Sequence, residues 1–107
     1  DLFDILLQDI SEENILRSWV LQRAPSNEIG LIRLAKTTAD HSLSFEEFLV
    51  ITPAEQQRTG TATLWDQGIL DWLDCSETLH FRLQGQKLQG TFLLCPFKKY
   101  FLFGRVN

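Results

Sequence analysis

The sequence lacks the features of a membrane or secreted protein. No apolar run approaches the roughly 20 residues that cross a bilayer, and the N-terminus has no basic segment followed by an apolar one. Cys75 and Cys95 are too few for a disulfide framework and lack the CxxC spacing of a metal site. One bridge between them stays open, but two reduced thiols fit an intracellular protein better. We therefore expect a cytoplasmic protein that does not enter a membrane.

The motifs of several enzyme classes are also absent. The chain has no Gly-rich loop that would cradle phosphate, no HExxH motif and no nucleophile elbow. Its two histidines, His41 and His80, are too few for a multi-histidine metal site. We expect His80 to be an exposed polar residue, because it falls on the charged face of a predicted strand. No general motif therefore assigns a chemistry to this chain.

Acidic residues are missing from the C-terminal part, although the net charge is −4. From Thr78 onward the charged residues are all basic: Arg82, Lys87, Lys98, Lys99 and Arg105. A basic surface attracts phosphate, because cationic side chains release counterions from nucleic acid. The solvent-facing side of a sheet explains the same charges, and charge alone favours this second interpretation.

The clearest structural pattern is an antiparallel meander centred on residues 78–95. Leu79, Phe81 and Leu83 alternate with polar residues, as in a strand that is buried on one face. A short connection at residues 85–87 predicts a hairpin, and Leu88, Phe92 and Leu94 continue the apolar face. Pro96 should interrupt the ladder before a further strand at residues 100–103.

The remaining patterns predict one mainly β domain over residues 1–107. Strands are predicted at residues 3–7, 15–21, 31–36, 61–65 and 69–73, with a turn at residues 66–68 between the last two. A capping-box spacing predicts a short helix over about residues 44–50, and the loop at residues 9–14 could hold one helical turn capped by Ser11. The fold class that these patterns favour is a small antiparallel β barrel with one or two short helices.

Two polar positions stand out as candidates for function. Asp4 lies within an otherwise apolar strand, on the same face as Leu2 and Leu6, so it is either at an edge or retained for a ligand. His41 follows Asp40 in a predicted polar turn, where a histidine can meet a substrate and an adjacent aspartate can orient it. Turn residues of this kind are more often structural.

Five segments, in order, resemble a known family. They are residues 2–8 (LFDILLQ), 19–26 (WVLQRAPS), 33–45 (RLAKTTADHSLSF), 59–68 (TGTATLWDQG) and 81–94 (FRLQGQKLQGTFLL). Together they resemble the 3′-phosphoesterase domain of bacterial DNA ligase D and its small stand-alone relatives. The resemblance covers nearly the whole chain. Its strongest parts are RLA followed by DH, the WDxG motif and the FxLxGxxLxG hairpin.

The resemblance implies a fold, an activity and a cofactor. The family domain is a small β barrel that removes a terminal ribonucleoside and then a 3′-phosphate from DNA, using a divalent metal such as manganese. A metal can polarise the phosphoryl group and lower the pKa of an attacking water, while cationic side chains stabilise the developing charge. The implied partner is a DNA 3′ end, and we expect a monomer.

Carried over by position, the family site is incomplete in this chain. The family's metal strand reads His-x-Asp-x-Arg, and here those positions are Leu2, Asp4 and Leu6, so only Asp4 remains as a candidate metal ligand. A family lysine falls on Arg23, and a family tyrosine falls on Phe45. The family's Gly-rich loop is replaced here by residues 55–58, although Gly60 remains. In the family, further active-site residues precede the position of Leu2.

Three positions could still contact phosphate without a metal: Arg23, Arg33, which opens RLA, and His41. The favoured interpretation is a degenerate phosphoesterase-like domain that binds or weakly processes 3′-phosphate or ribonucleotide ends. One alternative is an active enzyme whose missing ligands come from elsewhere. Another is a non-catalytic protein-interaction barrel with no nucleic-acid role, which would fit the net acidic charge.

Overall fold

In the part of the chain that the structure describes, alternating apolar residues form eight antiparallel strands that close into a barrel. The structure is a computed structural model that describes residues 2–12, 14–42, 47–52 and 63–107. The strands are β1 (Phe3–Gln8), β2 (Leu16–Leu21), β3 (Ile32–His41), β4 (Phe48–Thr52), β5 (Thr63–Cys75), β6 (Leu79–Gly85), β7 (Gln89–Phe97) and β8 (Tyr100–Arg105). They follow the order β1-β2-β3-β8-β7-β6-β5-β4, and β4 pairs with β1 to close the barrel. The predicted small antiparallel barrel is confirmed.

The barrel interior is filled by apolar side chains from every strand. The largest fully buried ones are Trp19, Phe48, Phe81, Phe92 and Phe103. Phe103 stacks between two others, with ring centroids 6.4 Å from Phe81 and 5.4 Å from Phe92. Burial of this much aromatic and aliphatic surface, at about 25 cal/mol per Å², is the main favourable contribution to folding.

The predicted hairpin at residues 79–94 is confirmed, with its inward and outward faces as expected. Leu79 pairs with Leu94 and Phe81 with Phe92, and all four side chains are buried. The prediction for Pro96 is wrong, because β7 runs on to Phe97 and Pro96 pairs with Phe101 of β8. β8 then continues to Arg105.

The predicted turn at residues 66–68 is also wrong, since those residues lie inside the single long strand β5. Two register shifts bend β5, one opposite Val50 and Ile51 and one between Trp72 and Asp74. A bulge adds twist without ending a strand, so β5 can curve around the barrel where a turn was predicted. Cys75 ends the strand, and its thiol and that of Cys95 are both free, as expected.

No helix occurs in the described ranges, including none long and apolar enough to cross a bilayer. The helix predicted over residues 44–50 is wrong at residues 48–50, which form β4 because Phe48 and Val50 alternate into the core. Residues 44–46 lie outside the described residues. In the loop after β1, the described residues form no helical turn, and the carboxylate of Asp9 accepts hydrogen bonds from the backbone of Ser11 and Glu12. Asp9 therefore closes an Asx-type turn at the position where Ser11 was predicted to cap a helical turn.

Candidate functional site

The outward face of β1 carries the family's metal-strand positions. Asp4 is half-buried, with Val20 of β2 and Ile51 of β4 as its lateral neighbours. Leu6, only 3% exposed, lies beside Ser18 and Leu49. Burial in these apolar surroundings raises the pKa of the Asp4 carboxyl, and the charge of His41 opposes this shift only in part. Asp4 is therefore a carboxylate in a weakly hydrated strip of the barrel surface.

The residues around Asp4 do not fit the family's divalent metal. Leu2 and Leu6 have no donor atoms, and no group of three or more histidine, cysteine or acidic side chains that could hold a metal exists among the described residues. Metal affinity falls with each ligand removed, because both the coordination number and the geometry are lost. Asp4 alone is not a metal site in this part of the chain.

His41 lies at the end of β3 and not in a loop. It pairs with Leu16 of β2, and a register shift between Leu16 and Ser18 accommodates an extra residue of β3 there. Asp40 and His41 are both exposed. Close by, Thr38 donates a hydrogen bond to the hydroxyl of Ser18 at 2.8 Å. The predicted Asp-His pair therefore belongs to the rim of the barrel, where both side chains can reach solvent.

Arg23 and Arg33 lie at the other end of β2 and β3 from His41, and Arg33 pairs with buried Phe103, so its side chain starts on the inward face of β3. Arg23 is exposed just after β2, and the Nε of Arg33 donates to the carbonyl of Ala24 at 2.9 Å. This hydrogen bond ties β3 to the segment that carries Arg23. Both arginines line an open groove of about 670 Å³ on the outer side of β2 and β3.

The groove contains a third cation, Lys36, which the sequence reasoning missed. Lys36 pairs with Val20, which in turn pairs with Asp4, so the three residues form a row across β3, β2 and β1. The signal was available in the sequence, because alternation places residues 32, 34 and 36 on one face of a strand.

His41 does not join the arginines. It is eight residues beyond Arg33 on one extended strand, a separation of roughly 26 Å along β3. One phosphate cannot contact both residues across that span. The structure therefore places Arg23, Arg33 and Lys36 around one groove and leaves His41 at the other end of β3.

The cations of the C-terminal part do not form one surface. Lys87 lies in the turn between β6 and β7, with its Nζ 4.3 Å from the Trp65 ring centroid, whereas Lys98 and Lys99 lie in the turn between β7 and β8. These two turns lie at opposite ends of β7. The guanidinium group of Arg105 donates hydrogen bonds to the backbone carbonyls of Asn27 and Asn107. The interpretation of these charges as the solvated side of a sheet therefore holds for Arg82 alone, which is exposed on β6.

The WDxG motif has a structural role that its letters do not reveal. The buried carboxylate of Asp66 accepts four backbone N–H groups, from Gln67, Gln86, Lys87 and Leu88, at 2.7–3.2 Å. Three of these donors belong to the turn between β6 and β7, so Asp66 holds that hairpin closed from the neighbouring strand β5. The motif therefore stabilises the barrel and lies away from the groove.

Several positions of the family comparison have no structural account. Phe45, residues 55–58 and Gly60 lie outside the described residues. The positions that are described are enough to compare the face formed by β1, β2 and β3 with the family pattern.

Comparisons with known proteins agree with the barrel and with its motifs. A family model for the DNA Ligase D 3′-phosphoesterase domain matches residues 3–96. The multifunctional non-homologous end joining protein LigD of Pseudomonas aeruginosa is 30% identical over 84 residues, which cover 73% of this chain. The match spans 10% of the length of that relative. The chain therefore belongs to the DNA ligase D 3′-phosphoesterase domain family.

Proposed function

We propose that this domain binds the 3′-phosphate end of DNA and has weak or no end-trimming activity. The observation that carries the proposal is the groove, whose described lining holds Arg23, Arg33 and Lys36 but no carboxylate. Guanidinium groups bind phosphate oxygens through paired, charge-assisted hydrogen bonds, and an ammonium adds a point charge. Three cations that line one groove of a protein with a net charge of −4 would form a local anion-binding surface.

Arg33 is suited to contact the terminal phosphate. Its Nε is engaged by the carbonyl of Ala24, which fixes the plane of the guanidinium group. Its Nη atoms have no partner among the described residues, and they remain available for an anion. Arg23 is exposed beside it and can approach the same anion from the other side. His41 would meet the DNA strand at a second point, because it lies at the far end of β3.

Weak or absent trimming follows from the loss of metal ligands. Hydrolysis of a phosphate ester in this family is expected to need a divalent metal that stabilises charge and activates water. Of the positions that match the family's metal strand, Asp4 alone still has a side chain that can bind a metal. Binding without turnover is the expected behaviour.

The cellular setting follows from the ligand. A DNA end and two free thiols both fit a reducing compartment, so we propose a cytoplasmic protein that acts in DNA repair. We also propose that the domain acts as a monomer, because a closed barrel leaves no free sheet edge among the described strands for a second copy to pair with.

The test is a binding and trimming assay on labelled primers that end in a 3′-phosphate, a 3′-ribonucleotide or a 3′-hydroxyl. We expect salt-sensitive binding that favours the phosphate end, and no product with excess protein in the presence or absence of manganese. Arg23→Ala should weaken binding by roughly tenfold and reduce its salt dependence. Arg82→Ala is the matched control, because Arg82 is an exposed cation on β6, on the opposite side of the barrel.

Two outcomes would overturn the proposal in different ways. Manganese-dependent trimming that is abolished by His41→Ala would establish an active enzyme and refute the degenerate site. Absence of any salt-sensitive, phosphate-dependent binding would instead favour the protein-interaction barrel.

A further inference from the structure

The floor of the groove is apolar as well as open. Leu2, Ile32 and Leu34 line it and are 39%, 46% and 51% exposed, respectively. Leu34 pairs with Leu102 of β8, which extends the apolar strip toward Tyr100, the single tyrosine of the chain. Large apolar side chains exposed side by side on a sheet face mark a surface that is covered by a ligand or partner.

The cations at the edge of this floor restrict what can cover it. Arg23 and Arg33 lie at one end and Lys36 at the side, with no acidic residue among the described lining residues. An uncharged or cationic occupant would leave three positive charges uncompensated. Charge complementarity therefore favours an anion that also carries a flat or apolar part.

The position of Leu2 connects this floor to the lost metal site. Leu2 stands where the resembled family has a metal-binding histidine, and here it forms part of the groove lining. The replacement that removes a ligand therefore also adds apolar surface next to the arginines. A hydrated, metal-holding pocket and an apolar floor favour different parts of a nucleotide: the phosphate in the first case and the base in the second.

We propose that the groove holds the last nucleotide of an unpaired DNA 3′ end, with its base on Leu34 and Tyr100 and its phosphate at Arg23 and Arg33. This inference rests on the proposed binding of 3′-phosphate ends and adds the substrate class: frayed or mismatched termini. The groove volume of about 670 Å³ is within the range of about 300–1,000 Å³ for sites that bind small ligands. Removing a base from the stack costs least when that base is already unpaired.

The experiment compares three DNA duplexes that all end in a 3′-phosphate. In the first the terminal nucleotide is mismatched, in the second it is paired, and in the third it is an abasic unit. Base stacking on a protein surface strengthens binding considerably, so the mismatched end should bind at least about fivefold more tightly than the abasic end. It should also bind more tightly than the paired end, because the paired base must first leave the helix.

A variant and a fluorescent base locate the effect in the groove. Leu34→Thr should reduce the preference for the mismatched over the abasic end while phosphate-dependent binding remains. Leu73→Thr is the control, because Leu73 is similarly exposed (51%) but lies on β5, on the other side of the barrel. A 2-aminopurine at the mismatched terminus should change its fluorescence when wild-type protein binds, which tests the contact without any substitution.

The outcomes separate this inference from the function on which it rests. Equal affinity for mismatched and abasic ends, with the dependence on phosphate and on Arg23 preserved, overturns the base-binding floor and leaves 3′-phosphate binding intact. Failure of all three duplexes to bind in a phosphate-dependent way overturns both proposals. An unchanged 2-aminopurine signal on saturation with protein also counts against the floor.

Discussion

The stability of the barrel should depend on Asp66 more than on any other described carboxylate. Asp66 is 2% exposed, and its two oxygens accept four backbone N–H groups. The informative perturbation is Asp66→Asn, which keeps the size and shape of the side chain but replaces one oxygen by an NH2 group. We expect this single substitution to open the turn between β6 and β7.

The magnitude follows from which donors lose their acceptor. If the amide oxygen of Asn replaces Oδ1, the N–H groups of Gln67 and Gln86 stay satisfied. Those of Lys87 and Leu88 then face a donor instead of a carboxylate oxygen. Lys87 is exposed and can turn to water, whereas the N–H of Leu88 is buried. Each lost bond to a charged group is worth about 1.5–3 kcal/mol, so a net loss of about 3 kcal/mol is expected.

The assay is thermal and urea unfolding of the wild type, Asp66→Asn and Asp71→Asn. A loss of about 3 kcal/mol corresponds to a fall in Tm of roughly 12 °C for a domain of this size. Asp71 is the matched control, because it is an exposed carboxylate on the same strand, and its change should stay within about 0.5 kcal/mol. Equal Tm values for the two variants would refute the role assigned to the Asp66 carboxylate.

Two further predictions concern other parts of the barrel. Asp4→Asn should raise the Tm at pH 7 and leave it nearly unchanged at about pH 3, because a raised folded-state pKa makes the ionised carboxyl unfavourable above its unfolded pKa of 3.8. Asp9→Asn should lower the Tm at pH 7, because hydrogen bonds from the turn lower the pKa of Asp9 and stabilise its ionised form. Tm shifts of the same sign for Asp4→Asn and Asp9→Asn would contradict these two assignments. In urea unfolding, Gly85→Ala should cost about 2–3 kcal/mol, because its Cβ would lie 2.6 Å from Cζ of Phe48. Gly30→Ala, at φ +87° with open space around it, should cost only about 1 kcal/mol, and a larger loss at Gly30 than at Gly85 would be the contrary result.

The hairpin of β6 and β7 could be predicted from sequence because its signals are local. Leu79, Phe81 and Leu83 alternate cleanly, and the connecting residues 85–87 are short and contain glycine. The turn assigned to residues 66–68 failed for the opposite reason. Asp66 and Gly68 are typical turn residues, but here the first binds amides of a distant loop and the second makes room for the carbonyl of Gln84. Long-range contacts that use the same residue types as turns are invisible to a local pattern.

In the candidate site, too, residue types could be predicted from the sequence, whereas spatial arrangement could not. The residue types at Leu2 and Leu6 already indicated that the metal strand is incomplete, and the structure adds no compensating ligand among the described residues. What the sequence could not provide was distance. Arg33 and His41 occur close together in the chain, but β3 is extended through both, so they are held far apart. Had the turn predicted at residues 40–41 been present, the two residues could have faced one another.

The pairing of β3 with β8 has a consequence for the order in which the protein is built. It joins Ile32 to Gly104 and Arg33 to Phe103, so the barrel cannot close until the last strand has left the ribosome. Until then the edges of β3 and β7 are both unpaired, and the growing chain is exposed to aberrant strand pairing. Arg33 lies on that seam, so the end of the groove that it lines is completed only when β8 pairs with β3. A chain that ends before Tyr100 would therefore lose the groove together with the closure of the barrel.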